Sequence, residues 1–148
     1  MRCITKKLIV LIFVFGIQKT FAQKVGLDHI AIYVHDLKTS VMFYQRVMHL
    51  DTIPEPFHDG KHAWFKIGPA LQMHVIAGAP DKPERSKFNH ICFSTPSIKD
   101  FISSLTQAGV AYEDLQGTPN SIQKRVDGVQ QIYLKDPDGY WIEVNDAK

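Results

Sequence analysis

The sequence predicts an α+β fold of two βαβββ modules, whose curved mixed sheets form a shared cleft. Residues 27–32 match residues 88–93 with His over His, Ile over Ile and apolar residues over apolar residues. Each match is followed by apolar residues at helical spacing and then by strand-like segments separated by turn residues. Because one helix covers only one face of a module's sheet, the other face must meet a partner sheet.

Each predicted helix begins after a capping residue and carries apolar side chains on one face. Asp36 and Ser97 are the N-cap candidates, and Gly109 ends the second helix. The apolar faces consist of Leu37, Val41, Tyr44, Val47 and Met48 in the first helix, and of Ile98, Phe101, Ile102 and Leu105 in the second. Such a stripe allows each helix to pack on a sheet.

Three further strands follow each helix. Turn residues separate them, notably Gly68-Pro69 in the first half and residues 136–139 in the second. The predicted strands span 50–53, 62–67 and 70–77 in the first half, and 111–115, 129–134 and 140–145 in the second.

The composition is that of a single globular domain. The chain of 148 residues is 45% hydrophobic and 22% charged, which excludes a disordered chain, a collagen or a disulfide scaffold. We expect one domain over residues 23–148, with module one at 25–77, a Pro-rich charged linker at 78–86 and module two at 88–145.

Residues 1–22 have the pattern of a secretory signal peptide. Basic residues precede an apolar run at 8–17, which is too short to span a bilayer, and Thr20-Phe21-Ala22 offers a cleavage site before Gln23. A retained membrane anchor is the alternative interpretation of this run. We expect an exported chain, periplasmic or secreted, without a membrane partner after cleavage.

The charge balance argues against a nucleic-acid partner. The chain has 17 Lys and Arg against 15 Asp and Glu, and the leader contributes only to the basic side. Cleavage therefore leaves a slightly acidic protein without the basic patch that nucleic-acid binding needs.

Cys92 is the one cysteine that remains after cleavage, so no internal disulfide is expected. It lies in the apolar run at 90–93, without a flanking cation to lower its pKa. We expect a buried small hydrophobic residue here.

Four residues with metal-binding side chains lie at repeat-equivalent positions. His29 and His90 lie on the first strands, and His74 matches Glu143 on the last strands. A His or Glu buried among apolar neighbours costs free energy unless it is paired or metal-bound. Three imidazoles and one carboxylate suit one divalent ion of Zn, Ni, Co, Fe or Mn. For a single histidine the alternative is a hydrogen-bonded core residue, and Gln72 can replace His74 because both share a strand face.

Several side chains are candidates for substrate binding. Trp64, Tyr133 and Trp141 can line the cleft, although strand aromatics are more often plain core residues. Gln72 faces the same way as the proposed ligand on its strand. Arg125 lies in a polar loop before the seventh strand, where it can meet an anionic substrate or remain solvated.

These segments resemble the vicinal oxygen chelate superfamily, which includes glyoxalase I, fosfomycin-resistance thiol transferases, methylmalonyl-CoA epimerase, extradiol dioxygenases and bleomycin-resistance proteins. The resemblance rests on LDHIAI at 27–32 with the following Asp36-Leu37 and Phe43-Tyr44, on FNHICF at 88–93 and on DPDGYWIE at 136–143. It implies the two-module fold and one divalent metal held by His29, His74, His90 and Glu143. At His74 the chain departs from glyoxalase I, which has Glu there.

The resemblance implies a metal that chelates two neighbouring substrate oxygens and acts as a Lewis acid. We expect a metal-dependent lyase or isomerase of glyoxalase type that acts on a small oxygenated metabolite, with Glu143 as the candidate catalytic base. The alternatives are an extradiol-type dioxygenase with Fe(II), and a non-enzymatic drug- or metabolite-binding protein of bleomycin-resistance type.

The modules are expected to pair in a homodimer. A module of about 60 residues buries too little surface to stand alone. The linker at 78–86 contains Pro80 and Pro83, which bias it toward extension and favour pairing between chains. Pairing of the two modules within one chain is the alternative.

Overall fold

A computed structural model describes residues 24–80 and 83–148 of the chain. In chain order the elements are β1 (His29–Val34), α1 (Leu37–Arg46), β2 (Thr52–Ile53), β3 (His62–Lys66), β4 (Gln72–Ala77), β5 (His90–Ser94), α2 (Ile98–Ala108), β6 (Gln123–Lys124), β7 (Gln130–Lys135) and β8 (Trp141–Asn145). This order is βαβββ twice, which confirms the predicted α+β fold. The predicted leader at 1–22 lies outside the described residues, among which no helix is long and apolar enough to cross a membrane.

The two modules form separate four-stranded mixed sheets with the same topology. The strand orders are β1-β4-β3-β2 and β5-β8-β7-β6. In each sheet the first and last strands of the module pair in parallel, and the other pairs are antiparallel. The first and last strands are therefore neighbours, which brings the ligand candidates of each module onto adjacent strands.

The helix ends form as the sequence predicts. The Asp36 side chain accepts a hydrogen bond from the Thr39 amide at 2.8 Å, and Ser97 Oγ accepts one from the Asp100 amide at 3.2 Å. Gly109 closes α2 with a φ of 68°, a left-handed conformation that favours glycine.

The strand prediction is wrong at residues 111–115. Only Glu113 in this segment forms β-bridges, one with Tyr133 and one with Pro119. The chain turns back at once, because the Asp114 side chain accepts from the Thr118 amide at 2.8 Å. The edge of the second sheet is instead β6, and in the first sheet β2 is shorter than the predicted 50–53.

Each sheet has one face that packs against the helices and a second face that no helix of the described residues covers, which is called the open face below. Alternate residues of the strands point toward the helices and form one apolar core that includes both modules. Its fully buried members include Val34, Phe65, Met73, Val75, Leu105, Ile132, Ile142 and Val144. The other alternate residues, which include all four ligand candidates, lie on the open faces.

A turn of module two ties the modules together. Asp136 accepts a hydrogen bond from the Tyr44 hydroxyl at 2.8 Å. Asp138 accepts from Ser40 Oγ at 2.8 Å and from the His35 amide at 2.7 Å. Both carboxyl groups are buried, and charged hydrogen bonds of this kind stabilise by about 1.5–3 kcal/mol each.

Replacing Tyr44 by Phe is expected to lower the free energy of unfolding by about 2 kcal/mol, because a buried carboxylate loses a donor. Burial raises the pKa of Asp136, and the Tyr44 hydrogen bond only partly offsets this rise. An Asp with a raised folded-state pKa contributes stability at low pH that is lost as pH rises through that pKa. Without Tyr44 the pKa of Asp136 rises further, so the deficit of the variant should grow with pH.

Urea unfolding at several pH values measures this deficit. Tyr112→Phe is the matched control, since its hydroxyl makes only a 3.4 Å contact with the Asn120 carbonyl. A Tyr44→Phe deficit no larger than that of the control would contradict the role of the Asp136 turn.

Candidate metal and substrate site

The open face of module two carries a His–Glu pair. His90 begins β5, and Glu143 lies on the adjacent strand β8, opposite Cys92 in the parallel register. His90 Nε2 is 3.3 Å from Glu143 Oε2. The Glu143 side chain is only 8% exposed, although it lies on the open face. A carboxylate with so little contact with water needs partners.

Three side chains donate hydrogen bonds to the Glu143 carboxylate. The Tyr133 hydroxyl donates to Oε2 at 2.6 Å, Asn145 Nδ2 donates to Oε1 at 2.9 Å, and the Cys92 thiol contacts Oε1 at 3.3 Å. Burial favours the neutral acid, but these donors together outweigh it and lower the pKa of Glu143. Glu143 is therefore ionised at neutral pH and fixed in orientation.

His90 is held in one tautomer. Its Nδ1 lies 2.8 Å from the backbone carbonyl oxygen of Lys87, to which only a protonated ring nitrogen can donate. The other ring nitrogen, Nε2, faces the Glu143 carboxylate. A metal-binding histidine usually donates one ring N–H to a carbonyl or carboxylate oxygen, which orients the other nitrogen toward the metal.

Module one carries its two histidines in an aromatic stack. The His29 and His74 rings are stacked with centroids 4.2 Å apart, and Trp64 covers the other side of His74 at 3.9 Å. His29 Nδ1 is 2.8 Å from an Asp28 carboxylate oxygen, and His74 Nε2 is 3.2 Å from the Gln72 side-chain oxygen. Burial and the neighbouring His29 lower the pKa of His74, which keeps this imidazole neutral.

These residues fit a divalent metal by their chemistry. His29 and His74 each have one ring nitrogen next to an oxygen acceptor, which leaves the other nitrogen free to bind, and Nε2 of His90 lies beside the Glu143 carboxylate. Glu143 adds an ionised carboxylate. A set of three imidazoles and one carboxylate suits a borderline divalent ion.

The structure brings the four predicted ligands together in two pairs. His29 contacts His74 on module one, and His90 contacts Glu143 on module two. Across residues 24–80 and 83–148, no group of three His, Cys, Asp or Glu is placed to hold one ion. The described part of the chain therefore presents two separate pairs, and the four-ligand set remains a prediction.

The predicted substrate-binding residues lie around the two pairs. Gln72 and Trp64 contact His74, and Tyr133 contacts Glu143. Trp141 lies across from His90 in the sheet, at the end of the open face. Arg125 follows β6 and forms an ion pair with Asp127 instead of remaining unpaired.

Two residues of this site were not predicted from the sequence. Cys92 is exposed on the open face, so the expectation of a buried residue is wrong. Although the residue as a whole is exposed, neighbouring side chains partly cover its thiol, and this partial burial together with the Glu143 contact raises the pKa of Cys92 to about 12, so the thiol stays protonated. Asn145 was not considered at all. Both lie two residues from a ligand candidate on the same strand, and the period-two rule places them on the ligand's face.

Comparisons with known proteins agree with this fold. The family profile described as "Glyoxalase/Bleomycin resistance protein/Dioxygenase superfamily" matches residues 26–144. "Glyoxylase I 4" of Arabidopsis thaliana is 27% identical over 125 residues, which cover 80% of this chain and 69% of that protein. The "Metallothiol transferase FosB" of Staphylococcus epidermidis is 28% identical over 123 residues, 81% of this chain and 80% of the relative.

A solved structure has the same fold. The fosfomycin resistance protein FosX from Listeria monocytogenes superimposes with a TM-score of 0.67 at 23% identity, covering 85% of this chain and 96% of that one. At this identity the similarity shows the fold alone.

Proposed function

Because the chain belongs to the glyoxalase/bleomycin resistance protein/dioxygenase superfamily, we propose that it is a metal-dependent lyase or isomerase of glyoxalase type. Its substrate is a small oxygenated metabolite that binds through two neighbouring oxygens. The observation that carries this proposal is the ionised Glu143 carboxylate, which three donors hold 3.3 Å from Nε2 of His90. Burying an ionised carboxylate costs free energy, so this arrangement is more typical of a metal site than of a hydrophobic core.

We propose that His29, His74, His90 and Glu143 hold one divalent ion. When bound, the ion supplies Lewis-acid polarisation of two neighbouring substrate oxygens. The stack of Trp64, His74 and His29 holds the two imidazole rings in place, and burial together with the neighbouring His29 lowers the pKa of His74.

The remaining chemistry falls to side chains on the open face of module two. Glu143 is ionised, so one of its oxygens is able to accept a proton from a carbon next to a polarised carbonyl. Burial and the Glu143 carboxylate raise the pKa of Tyr133, which therefore stays a hydroxyl and donates a hydrogen bond. Tyr133 thus orients the proton acceptor through the 2.6 Å contact with Oε2.

Hydrogen exchange into a simple hydroxyketone tests this activity. Hydroxyacetone has two neighbouring oxygens, and removal of a proton from its hydroxymethyl carbon in D2O replaces that hydrogen by deuterium. We expect exchange, followed by proton NMR, to require added Zn²⁺, Co²⁺, Ni²⁺ or Mn²⁺ and to be lost in Glu143→Gln. Exchange at the uncatalysed rate with every one of these metals would contradict the proposal.

We also propose that two chains form the site together as a homodimer. The two pairs of ligand candidates lie on different modules, and within the described residues no group of three such side chains is placed to hold one ion. Module one of one chain facing module two of another would place the pairs on opposite sides of one cleft. The complementation experiment in the Discussion tests this pairing.

The chain is further proposed to be exported, periplasmic or secreted, with cleavage after Ala22. The support is the basic start, the apolar run at 8–17 and the Thr20-Phe21-Ala22 site. Intact-mass measurement of protein from the native cell envelope or medium should show a chain that begins at Gln23. A full-length chain in the membrane fraction would show that the run is a retained anchor.

A further inference from the structure

We infer that the substrate carries an anionic group, carboxylate or phosphate, and that Lys135 binds this group above the Trp141 ring. The inference rests on the proposed function, because it concerns a substrate held beside His90 and Glu143. Beyond the proposed function, it specifies that the substrate is negatively charged and that Lys135 recognises this charge.

Lys135 lies at the end of β7, directly across from Trp141 in the antiparallel register. Tyr133 precedes it by two residues on the same strand, so both side chains belong to the open face. The Lys135 ammonium is 4.5 Å from the centroid of the Trp141 ring. The indole Nε1–H donates to the Arg85 carbonyl oxygen at 2.9 Å, which fixes the ring under the ammonium.

A second lysine near the same ring is already neutralised. The Lys87 ammonium lies 4.7 Å from the Trp141 centroid and forms an ion pair with Glu113. It also donates to the backbone carbonyl oxygens of Asp114 and Leu115, at 2.9 and 3.2 Å. Lys87 has therefore used its donors within the protein.

Lys135 has no such partner in the described part of the chain, where no carboxylate lies within ion-pair distance of its ammonium. The Trp141 ring shields one side of this charge from water and leaves the other side free. An ammonium held in this way is a donor for an anionic ligand.

A cavity beside Lys135 shares one lining residue, Tyr133, with the surroundings of the proposed metal pair. Its volume is about 300 Å³, and Tyr133, Lys135, Trp141, Glu113 and Pro119 are among its lining residues. Tyr133 lines this cavity and also contacts both members of the proposed metal pair. Its hydroxyl donates to Glu143, and its ring packs edge-on against His90 with the ring centroids 5.5 Å apart. In the sheet, Trp141 pairs with His90 on one side and with Lys135 on the other, so a ligand that extends from His90 across the Trp141 ring would meet the Lys135 ammonium.

Three hydroxy acids test the inference in the metal-loaded protein. Glycerate offers neighbouring oxygens without a distal charge, malate adds a distal carboxylate, and 3-phosphoglycerate adds a distal phosphate. By isothermal titration calorimetry, at least one of the two charged-tail ligands should bind about tenfold more tightly than glycerate. The preferred ligand identifies the anion as carboxylate or phosphate.

The preference should disappear in Lys135→Gln and persist in Lys99→Gln, which removes the same charge from the exposed side of α2. Glycerate binding should be unchanged in both variants. No preference in the wild-type protein, or equal loss in both variants, would overturn the inference.

A second measurement needs no metal. Inorganic phosphate is titrated into the chelator-treated protein while the two tryptophan indole NH signals are followed by NMR, with Trp64→Phe used for assignment. We expect the Trp141 signal to shift in the wild-type protein and not in Lys135→Gln. An unshifted signal overturns the anion site, whereas a shift together with failed metal binding overturns only the proposed function.

Discussion

The Glu143→Gln variant should bind Zn²⁺ about a hundredfold or more weakly than the wild-type protein, with retention of the fold. The amide keeps the size of the side chain but removes the negative charge that the metal requires. In addition, Oε2 accepts from Tyr133 and Oε1 from Asn145 and Cys92, so three donors are arranged for a carboxylate. Equilibrium dialysis with competing chelators and metal analysis measures the affinity.

Two further variants make this result specific. Glu113→Gln is the matched control, because Glu113 is another carboxylate of module two that pairs with Lys87, and it should leave the affinity unchanged. Tyr133→Phe removes one donor to Glu143 and should weaken binding by about tenfold, as expected for a residue behind a ligand. Unchanged affinity in both Glu143→Gln and His90→Ala would show that the metal site is not here.

The fold was predictable because its signals are local. The capping positions Asp36, Ser97 and Gly109 and the repeated first strands depend only on neighbouring residues, and the structure confirms them. The strand prediction at 111–115 is wrong because the composition of this segment suits a strand, whereas strand pairing also requires that the chain stays extended. Asp114 starts that turn through a side-chain hydrogen bond, which competes with extension of the strand.

The site was predictable only in part. Alternation along a strand placed the ligand candidates on one face, but the strand register decides which side chains meet across strands. The contact of Tyr133 with Glu143 and that of Cys92 with the same carboxylate both depend on such register. No pattern within one strand contains this information, so the two cross-strand donors to Glu143, Tyr133 and Cys92, emerged only from the structure.

The register also explains how one module accommodates His where the other has Glu. Trp64 lies directly across from His74, and Tyr133 lies directly across from Glu143. The indole stacks on a neutral imidazole at 3.9 Å, whereas the phenol donates to a carboxylate at 2.6 Å. Each aromatic residue therefore suits the charge of the residue across from it. The presence of His74 where module two has Glu143 is accompanied by the presence of Trp64 where module two has Tyr133.

Mixing two inactive chains should restore metal binding if the site lies between subunits. A His29→Ala chain and a Glu143→Ala chain are unfolded together, refolded, and analysed for bound Zn²⁺. In an exchanged dimer, each site combines module one of one chain with module two of the other. Both lesions of a heterodimer then fall in the same site, and the other site is intact.

Random pairing makes half of the dimers mixed, so the expected content is about one ion for every four chains. A His29→Ala chain mixed with a His74→Ala chain is the control. Both lesions lie in module one, so every site retains one of them in any arrangement, and no recovery is expected. Sedimentation velocity measures whether each mixture is dimeric. A dimeric first mixture with no more zinc than the control would show that each site is built within one chain.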